Sequence, residues 1–334
     1  MSMDRKPLVT QSCPACSTPI DSSGYEPLAR VLCRRCGQKM LIHRNFDHFE
    51  VVETLGVGGM GTVYKARDTH LDRYVALKLL RRDLGGEENP DARLQEEARV
   101  AASVNHPNVV QIFSLGTDHG QFYVVMELID QGSLDDLMES QGRVPEHQVL
   151  DVGIQIARGL RAAHRKGLIH RDVKPANILF VDEQATKIGD FGLAAFATQH
   201  PEPGETDHVI WGTPAYVAPE RLCRQPEDVR SDIYSLGATL FHAVAGKPPI
   251  ETSTNSATEL RELKQHPSDL RAIASDVSAS TARVLQQMIA FDPTQRFSSY
   301  DDVLAHLDAA RRALEFATDR RTSRWSLNRL FRNG

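Results

Sequence analysis

No stretch of the sequence reaches the roughly 18 consecutive apolar residues that a membrane-spanning helix needs. The opening residues MSMDRKPLVTQSCPAC also lack the apolar core of a secretory signal, so the expectation is a cytoplasmic protein. Basic residues are not in excess: 39 Lys and Arg against 44 Asp and Glu leave a net charge of -5, which removes any general electrostatic pull toward nucleic acid. Cysteine is scarce, and four of the five residues fall in two tight pairs near the start. That arrangement suits metal binding in a reducing compartment better than a disulfide framework. Long low-complexity tracts are missing too, and 41% hydrophobic with 25% charged residues describes a soluble globular chain of 334 residues with room for two or three packing units.

What is present divides into three segments. Residues 1–45 are rich in Cys, Pro, Ser and Arg and too short of periodic apolar positions to build a core unaided. Residues 46–316 form one continuous domain pattern, and residues 317–334 are a basic tail of Arg, Ser and Asn with scattered apolar residues. Within the middle segment, FEVVETLGVG, GTVYKARD and RYVALKLL alternate or carry β-branched residues between turn formers, which predicts three antiparallel strands. A helical stretch, NPDARLQEEARVAASV, ends at the turn Asn105-His106-Pro107-Asn108, and VVQIFSLGTDHGQFYVVMEL predicts two more strands. After Gly132 the pattern turns helical: SLDDLMESQG opens on a Ser cap, and EHQVLDVGIQIARGLRAAHRKG is a long amphipathic run ended by Gly167. The expectation is an α+β chain with a small strand-rich lobe, a larger helical lobe and a small N-terminal module.

Gly56, Gly58 and Gly61 have the spacing G-x-G-x-x-G, which two unrelated architectures share. In a dinucleotide-binding fold the glycines open a helix whose N-terminus holds a pyrophosphate. Here Thr62, Val63 and Tyr64 favour a strand, and the next helical pattern lies about 30 residues on. Downstream come VALK at 75–78, HRDVKPAN at 170–177, DFG at 190–192 and APE at 218–220. These motifs, in this order, resemble the serine/threonine protein kinases of the type also found in bacteria, and the resemblance covers residues 46 to about 310. It implies the two-lobed kinase fold, with a β-rich N-lobe and a helical C-lobe, and transfer of the ATP γ-phosphate to Ser and Thr hydroxyls of protein substrates.

Each motif has a physical reason. Glycines at 56, 58 and 61 let the backbone approach phosphate and donate amides to it. By the resemblance, the nucleotide lies along Leu55, Gly56, Val57, Gly58, Gly59, Met60, Gly61, Thr62 and Val63, with Ala76 and Leu179 completing the adenine sandwich and Met126, Glu127 and Leu128 at its edge. Lys78 supplies charge for the α- and β-phosphates, and Glu97, preferred to the adjacent Glu96, would position it. Asp172 would accept the substrate hydroxyl proton, Lys174 would contact the transferred phosphate, and Asn177 and Asp190 would offer hard oxygen ligands to Mg²⁺ or Mn²⁺. Thr213 resembles the threonine that bonds the catalytic aspartate. Asp232 resembles the helix aspartate that ties down the catalytic loop, and Arg296 the partner of Glu220. A catalytically dead scaffold is the competing reading; such proteins usually lack one of the residues that stand here as Lys78, Asp172 and Asp190.

Arg171, before the catalytic aspartate, implies a phosphate-reading site on the activation segment, whose hydroxyl candidates are Thr198, Thr206 and Thr213. Thr206, then Thr198, is the expected autophosphorylation site, and reaction in trans would require self-association; a passive solvated loop is the alternative. Cys13 and Cys16, then Cys33 and Cys36, form two C-x2-C pairs with a 16-residue gap, the spacing of a zinc ribbon. Structural Zn²⁺ is the leading reading, with rubredoxin-like iron or a redox pair as alternatives. Arg30, Arg34, Arg35 and Lys39 read as a solvated basic face before they read as a nucleic-acid contact. From Arg311 to Gly334, seven arginines against Glu315 and Asp319 leave a local +5. The tail continues the last helix and is then expected to be disordered or packed on the domain, with an anionic membrane surface as the second reading.

Overall fold

The computed structural model describes residues 10–22, 24–59, 61–81, 96, 98–118, 121–191 and 213–330, with side chains through residue 317. Glu97, Met60, Thr198 and Thr206 therefore lie outside the described residues. The chain forms two compact units, residues 1–96 with 111–128 and residues 97–110 with 129–334.

The first unit begins with two small hairpins, β1 (Thr10–Ser12) with β2 (Pro19–Asp21) and β3 (Arg30–Leu32) with β4 (Lys39–Leu41). A six-stranded antiparallel sheet follows: β5 (Asn45–Phe46), β6 (Phe49–Gly58), β7 (Gly61–Asp68), β8 (Arg73–Leu80), β9 (Ile112–Asp118) and β10 (Gln121–Met126), in the order β5-β6-β7-β8-β10-β9. The three strands read from FEVVETLGVG, GTVYKARD and RYVALKLL coincide with β6, β7 and β8.

Because side chains alternate along a strand, cross-strand register sorts this sheet into two faces. Tyr64 lies opposite Leu77, which lies opposite Val125; with Phe46, Phe49, Val51, Ala66, Val75, Leu79 and Tyr123 these residues form the apolar core. Val63, Lys78 and Val124 are in register on the other face, where Lys65, Ala76 and Met126 also align. The core face is joined to the cysteine module. Leu28, at φ +63°, packs against that core, and its amide donates to the Ile42 carbonyl at 2.7 Å.

The second unit is mainly helical: α1 (Leu134–Gln141), α2 (Glu146–His164), α3 (Pro219–Leu222), α4 (Val229–Ala245), α5 (Ala257–Gln265), α6 (Leu270–Ile273), α7 (Ala279–Met288) and α8 (Tyr300–Leu330). Ser133 caps α1 through a reciprocal capping box with Asp136, as the serine before LDDL predicts. The long amphipathic run ends at His164, earlier than expected, because chain reversal is spread over Arg165 to Gly167, where Gly167 takes φ +79°. A short hairpin, β11 (Ile178–Phe180) with β12 (Thr186–Ile188), carries the segment after HRDVKPAN. As expected of a tail that continues the last helix, the backbone is helical to Leu330.

Candidate active site

In the first unit, Leu55, Gly56, Val57 and Gly58 lie on β6, Gly59 in the turn, and Gly61, Thr62 and Val63 on β7. Gly58 pairs with Gly61, so the hairpin is closed by a two-residue loop. Glycine is required at position 61. Its φ is +152°, and a Cβ would stand 1.9 Å from the Leu79 carbonyl oxygen of the neighbouring strand. At Gly56 and Gly59 a Cβ would meet nothing within 4 Å, so the ribbon of backbone is bare there. Ala76 and Lys78 are buried on β8 and share their face of the sheet with Val63. Glu127 and Leu128 follow β10, where the Glu127 amide donates to the Gln111 carbonyl at 2.8 Å and the Gln111 amide returns a bond to Glu127 Oε2 at 3.2 Å.

In the second unit the catalytic-loop candidates are held by a buried polar network. Asp232 on α4 is fully buried and accepts from the amides of His170 and Arg171, each at 2.8 Å, and from the Tyr300 hydroxyl at 3.0 Å. Arg171, at φ +65°, is thereby fixed in a conformation a non-glycine residue seldom adopts. The His170 ring is wedged in the loop: its Nδ1 accepts the Asp172 amide at 3.2 Å, so Nε2 carries the proton and donates to the Gly189 carbonyl at 2.7 Å. That bond joins the HRD loop to the residue preceding Asp190, itself at φ +60°.

The Asp172 carboxylate is bracketed by donors. Lys174 Nζ lies 2.8 Å and Asn177 Nδ2 3.0 Å from its Oδ2, and the same Asn177 nitrogen donates to the Asp172 carbonyl at 2.7 Å. With its nitrogen committed, Asn177 presents its amide oxygen as the remaining polar atom. Leu179 sits on β11. Among the described residues Thr213 makes no hydrogen bond to Asp172. The Asp172 carboxylate is engaged by Lys174 and Asn177, while exposed Thr213 lines the same small cavity as Asp172, Lys174 and Tyr216.

Around this loop, Arg296 makes a two-pronged bond to Glu220 at 2.9 Å on each oxygen, and Ser231 donates to Glu220 Oε1 at 2.5 Å. Burial would raise the Glu220 carboxyl; the Arg296 guanidinium and the Ser231 hydroxyl outweigh it and hold it below the usual range. Sequence reasoning missed several contacts here. Arg171 Nε lies 3.8 Å from Glu227, Arg221 donates to the Arg171 carbonyl at 2.8 Å, and Tyr216 meets His242 Nδ1 at 2.7 Å. None has a local signature, since each joins residues far apart in sequence.

The cysteines converge. Cys13 Sγ is 3.6 Å from Cys36 Sγ, Cys16 Sγ is 3.6 Å from Cys33 Sγ, and all four sulfurs lie within 4.8 Å of one another. All four are free thiols. Four thiolates at about 2.3 Å from one Zn²⁺ stand about 3.8 Å apart along a tetrahedron's edges, so the set fits such an ion. The Thr18 hydroxyl, 3.2 Å away, and the Thr18 amide draw Cys16 down to about 6, toward the thiolate that a metal takes.

The protein kinase domain family matches residues 49–307. The chain belongs to the protein kinase family. It is 35% identical over 266 residues to the serine/threonine-protein kinase PknB of Mycobacterium tuberculosis, covering 78% of this chain and 42% of that one. It is 31% identical over 261 residues to a probable serine/threonine-protein kinase of Clostridium acetobutylicum, covering 78% and 39%. This kinase-family chain thus spans about two fifths of the length of the curated relatives it matches. Among solved structures it resembles the M. tuberculosis PknI kinase domain, with a TM-score of 0.64 and 28% identity over 81% of this chain and 97% of that one. It also resembles Rad53 residues 1–466 in complex with AMP-PNP, with a TM-score of 0.66 and 26% identity over 78% and 65%. The β-sheet N-lobe and helical C-lobe described above are the kinase fold. Among the described residues no helix is long and apolar enough to cross a membrane.

Proposed function

We propose that the chain is a serine/threonine protein kinase that transfers the γ-phosphate of ATP to hydroxyls of protein Ser and Thr residues. The observation that carries this reading is the Asp172 carboxylate held between Lys174 and Asn177, on a loop whose two preceding amides are tied to buried Asp232. ATP, with Mg²⁺ or Mn²⁺, supplies the transferable phosphoryl group and its countercharge when bound. The bare backbone at Gly56 and Gly59 fits a phosphate chain, and Leu55 to Val63, Ala76, Glu127, Leu128 and Leu179 are the remaining nucleotide contacts. The hard oxygens of Asp190 and Asn177 suit the cation. The solved Rad53 complex with AMP-PNP, an ATP analogue, supports the same ligand.

Asp172 orients the substrate hydroxyl and takes its proton as the hydroxyl oxygen bonds to phosphorus and the bond to the ADP oxygen breaks. Lys174, already paired with Asp172, neutralises charge on the transferred group. Lys78, positioned by Glu97, does the same for the α- and β-phosphates. Arg171 reads a phosphate on Thr206 or Thr198, placed there by autophosphorylation between two copies, and Thr213 belongs to the substrate-seating segment.

Cys13, Cys16, Cys33 and Cys36 hold structural Zn²⁺ in a ribbon of residues 1–45, ahead of a kinase domain of residues 46–316 and a basic tail of residues 317–334 that packs on protein or on an anionic lipid surface. The cytoplasm suits both the thiols and ATP. The test is phosphate transfer to a mixed protein substrate by the wild type and by Asp172→Asn. Transfer by the wild type no greater than by the variant would establish a binding scaffold instead of an enzyme.

A further inference from the structure

Lys264, on the last turn of α5, is a charged side chain with no solvent exposure. Its Nζ donates to the Ala215 carbonyl at 3.2 Å and to the Tyr234 hydroxyl oxygen at 3.2 Å, and lies 5.0 Å from the centroid of the Tyr234 ring. Neither acceptor carries a charge. The nearby carboxylate, Glu220 on α3, is bonded by Arg296, whose guanidinium stands 4.9 Å from the same Tyr234 ring. On α5 itself Glu259, Arg261 and Glu262 are exposed. Burial, with the Arg296 charge adding to it and Glu220 opposing, pushes Lys264 down to about 7.

A methionine here would fill similar volume without the desolvation cost, and such replacements are often neutral or stabilising. Lys264 is therefore poorly explained by stability. What the ammonium adds is a bond to the backbone of residues 213–218, the stretch beside the Asp172 and Lys174 cavity. That stretch has only one short turn of its own, Pro214–Tyr216, and Tyr216, the residue after Ala215, is fastened separately to His242 of α4.

We propose that Lys264 is a positioning residue for the protein substrate: by holding the Ala215 carbonyl it fixes the segment 213–218 on which the substrate chain is seated. The inference rests on the kinase reading above. It assigns Lys264 to substrate affinity, apart from nucleotide binding and from the chemistry at Asp172.

The experiment compares wild type, Lys264→Met and Lys264→Gln, with Asp172→Asn as the inactive control, in steady-state kinetics on a peptide substrate, thermal unfolding, and hydrogen exchange of residues 213–218. Losing a charge-assisted bond to the seating segment is expected to raise the peptide KM of Lys264→Met about tenfold. The KM for ATP stays within about twofold, exchange at 213–218 accelerates, and the melting temperature does not fall. Lys264→Gln, which retains a donor, recovers part of the peptide KM. An unchanged peptide KM with unchanged exchange overturns the proposal, and so does a parallel loss of melting temperature, ATP affinity and peptide affinity. Wild-type turnover no greater than that of Asp172→Asn removes the kinase reading instead; exchange at 213–218 needs no turnover and still decides whether Lys264 holds the segment.

Discussion

Tyr64, on the β7 strand that continues from the glycine hairpin, places its hydroxyl 3.5 Å from Glu26 of the cysteine module. The contact is one of several: Leu28 enters the core that Tyr64 helps to build, and the buried Arg44 guanidinium lies 4.8 Å from the Phe46 ring while donating to the Tyr25 carbonyl at 3.4 Å. Tyr64 faces away from Val63, Ala76 and Lys78, so the module leans on the sheet from the side opposite the nucleotide candidates. Burial, with Glu26 adding its charge, raises the Tyr64 phenol above its usual value and keeps it neutral.

Metal loss is therefore expected to loosen the kinase sheet as well as the ribbon. Cys33→Ser, or chelation of the purified chain, lowers the melting temperature by at least about 5 °C, the shift that roughly 2 kcal/mol gives in a domain of this size. It also raises the KM for ATP. Elemental analysis giving far less than one zinc per chain, or a chelated protein melting where the loaded one does, would sink the idea.

The Glu220–Arg296 pair gives a second expectation. Glu220→Gln leaves the Arg296 guanidinium, which is fully buried, with a neutral partner, and breaking a buried pair costs about 3–5 kcal/mol. The folded-state carboxyl is held below its usual value of 4.5, so its contribution is present above that value and is lost as pH falls through the lower folded-state value. Urea titrations of wild type and variant should differ most near neutrality and converge at acid pH. A constant gap down to the lowest pH at which the chain stays folded contradicts this assignment.

Legibility in the sequence followed the range of the interaction. The hairpin strands, the Ser133 cap and the four-cysteine cluster rest on spacings of a few residues or on paired motifs, and those patterns point to the arrangement found. The kinase loop motifs likewise brought Asp172, Lys174 and Asn177 together. The Tyr300 bond to Asp232, the Glu227 approach to Arg171 and the burial of Lys264 were invisible because each brings together residues tens of positions apart in sequence. For Thr213 a motif names the residue's place in a loop, whereas its hydrogen bond depends on the conformation that loop adopts.

Gly61→Ala tests the hairpin. A methyl group would stand 1.9 Å from the Leu79 carbonyl oxygen at a φ that L-residues avoid, so β7 must shift away from β8 just ahead of Val63. The KM for ATP should rise several-fold with a modest loss of stability, whereas Gly56→Ala, whose Cβ position is open, should perturb folding far less. Equal melting temperatures for Gly61→Ala and Gly56→Ala would contradict the steric argument.

Lys264 makes stability rise with pH, the direction opposite to that of a salt-bridged lysine. Its ammonium value falls from 10.5 to about 7 on folding, so below about 7 the folded chain carries the full cost of a buried charge. Between about 7 and 10.5 the unfolded chain binds more protons than the folded one, and stability gained from this group rises with pH by an amount on the order of a few kcal/mol. Lys264→Met removes that dependence. The variant should exceed the wild type most at pH 6 and lose its advantage progressively toward pH 9, as measured by urea unfolding at each pH. A difference that stays constant across that range would mean that Lys264 remains charged in the fold, held by more than Ala215 and Tyr234.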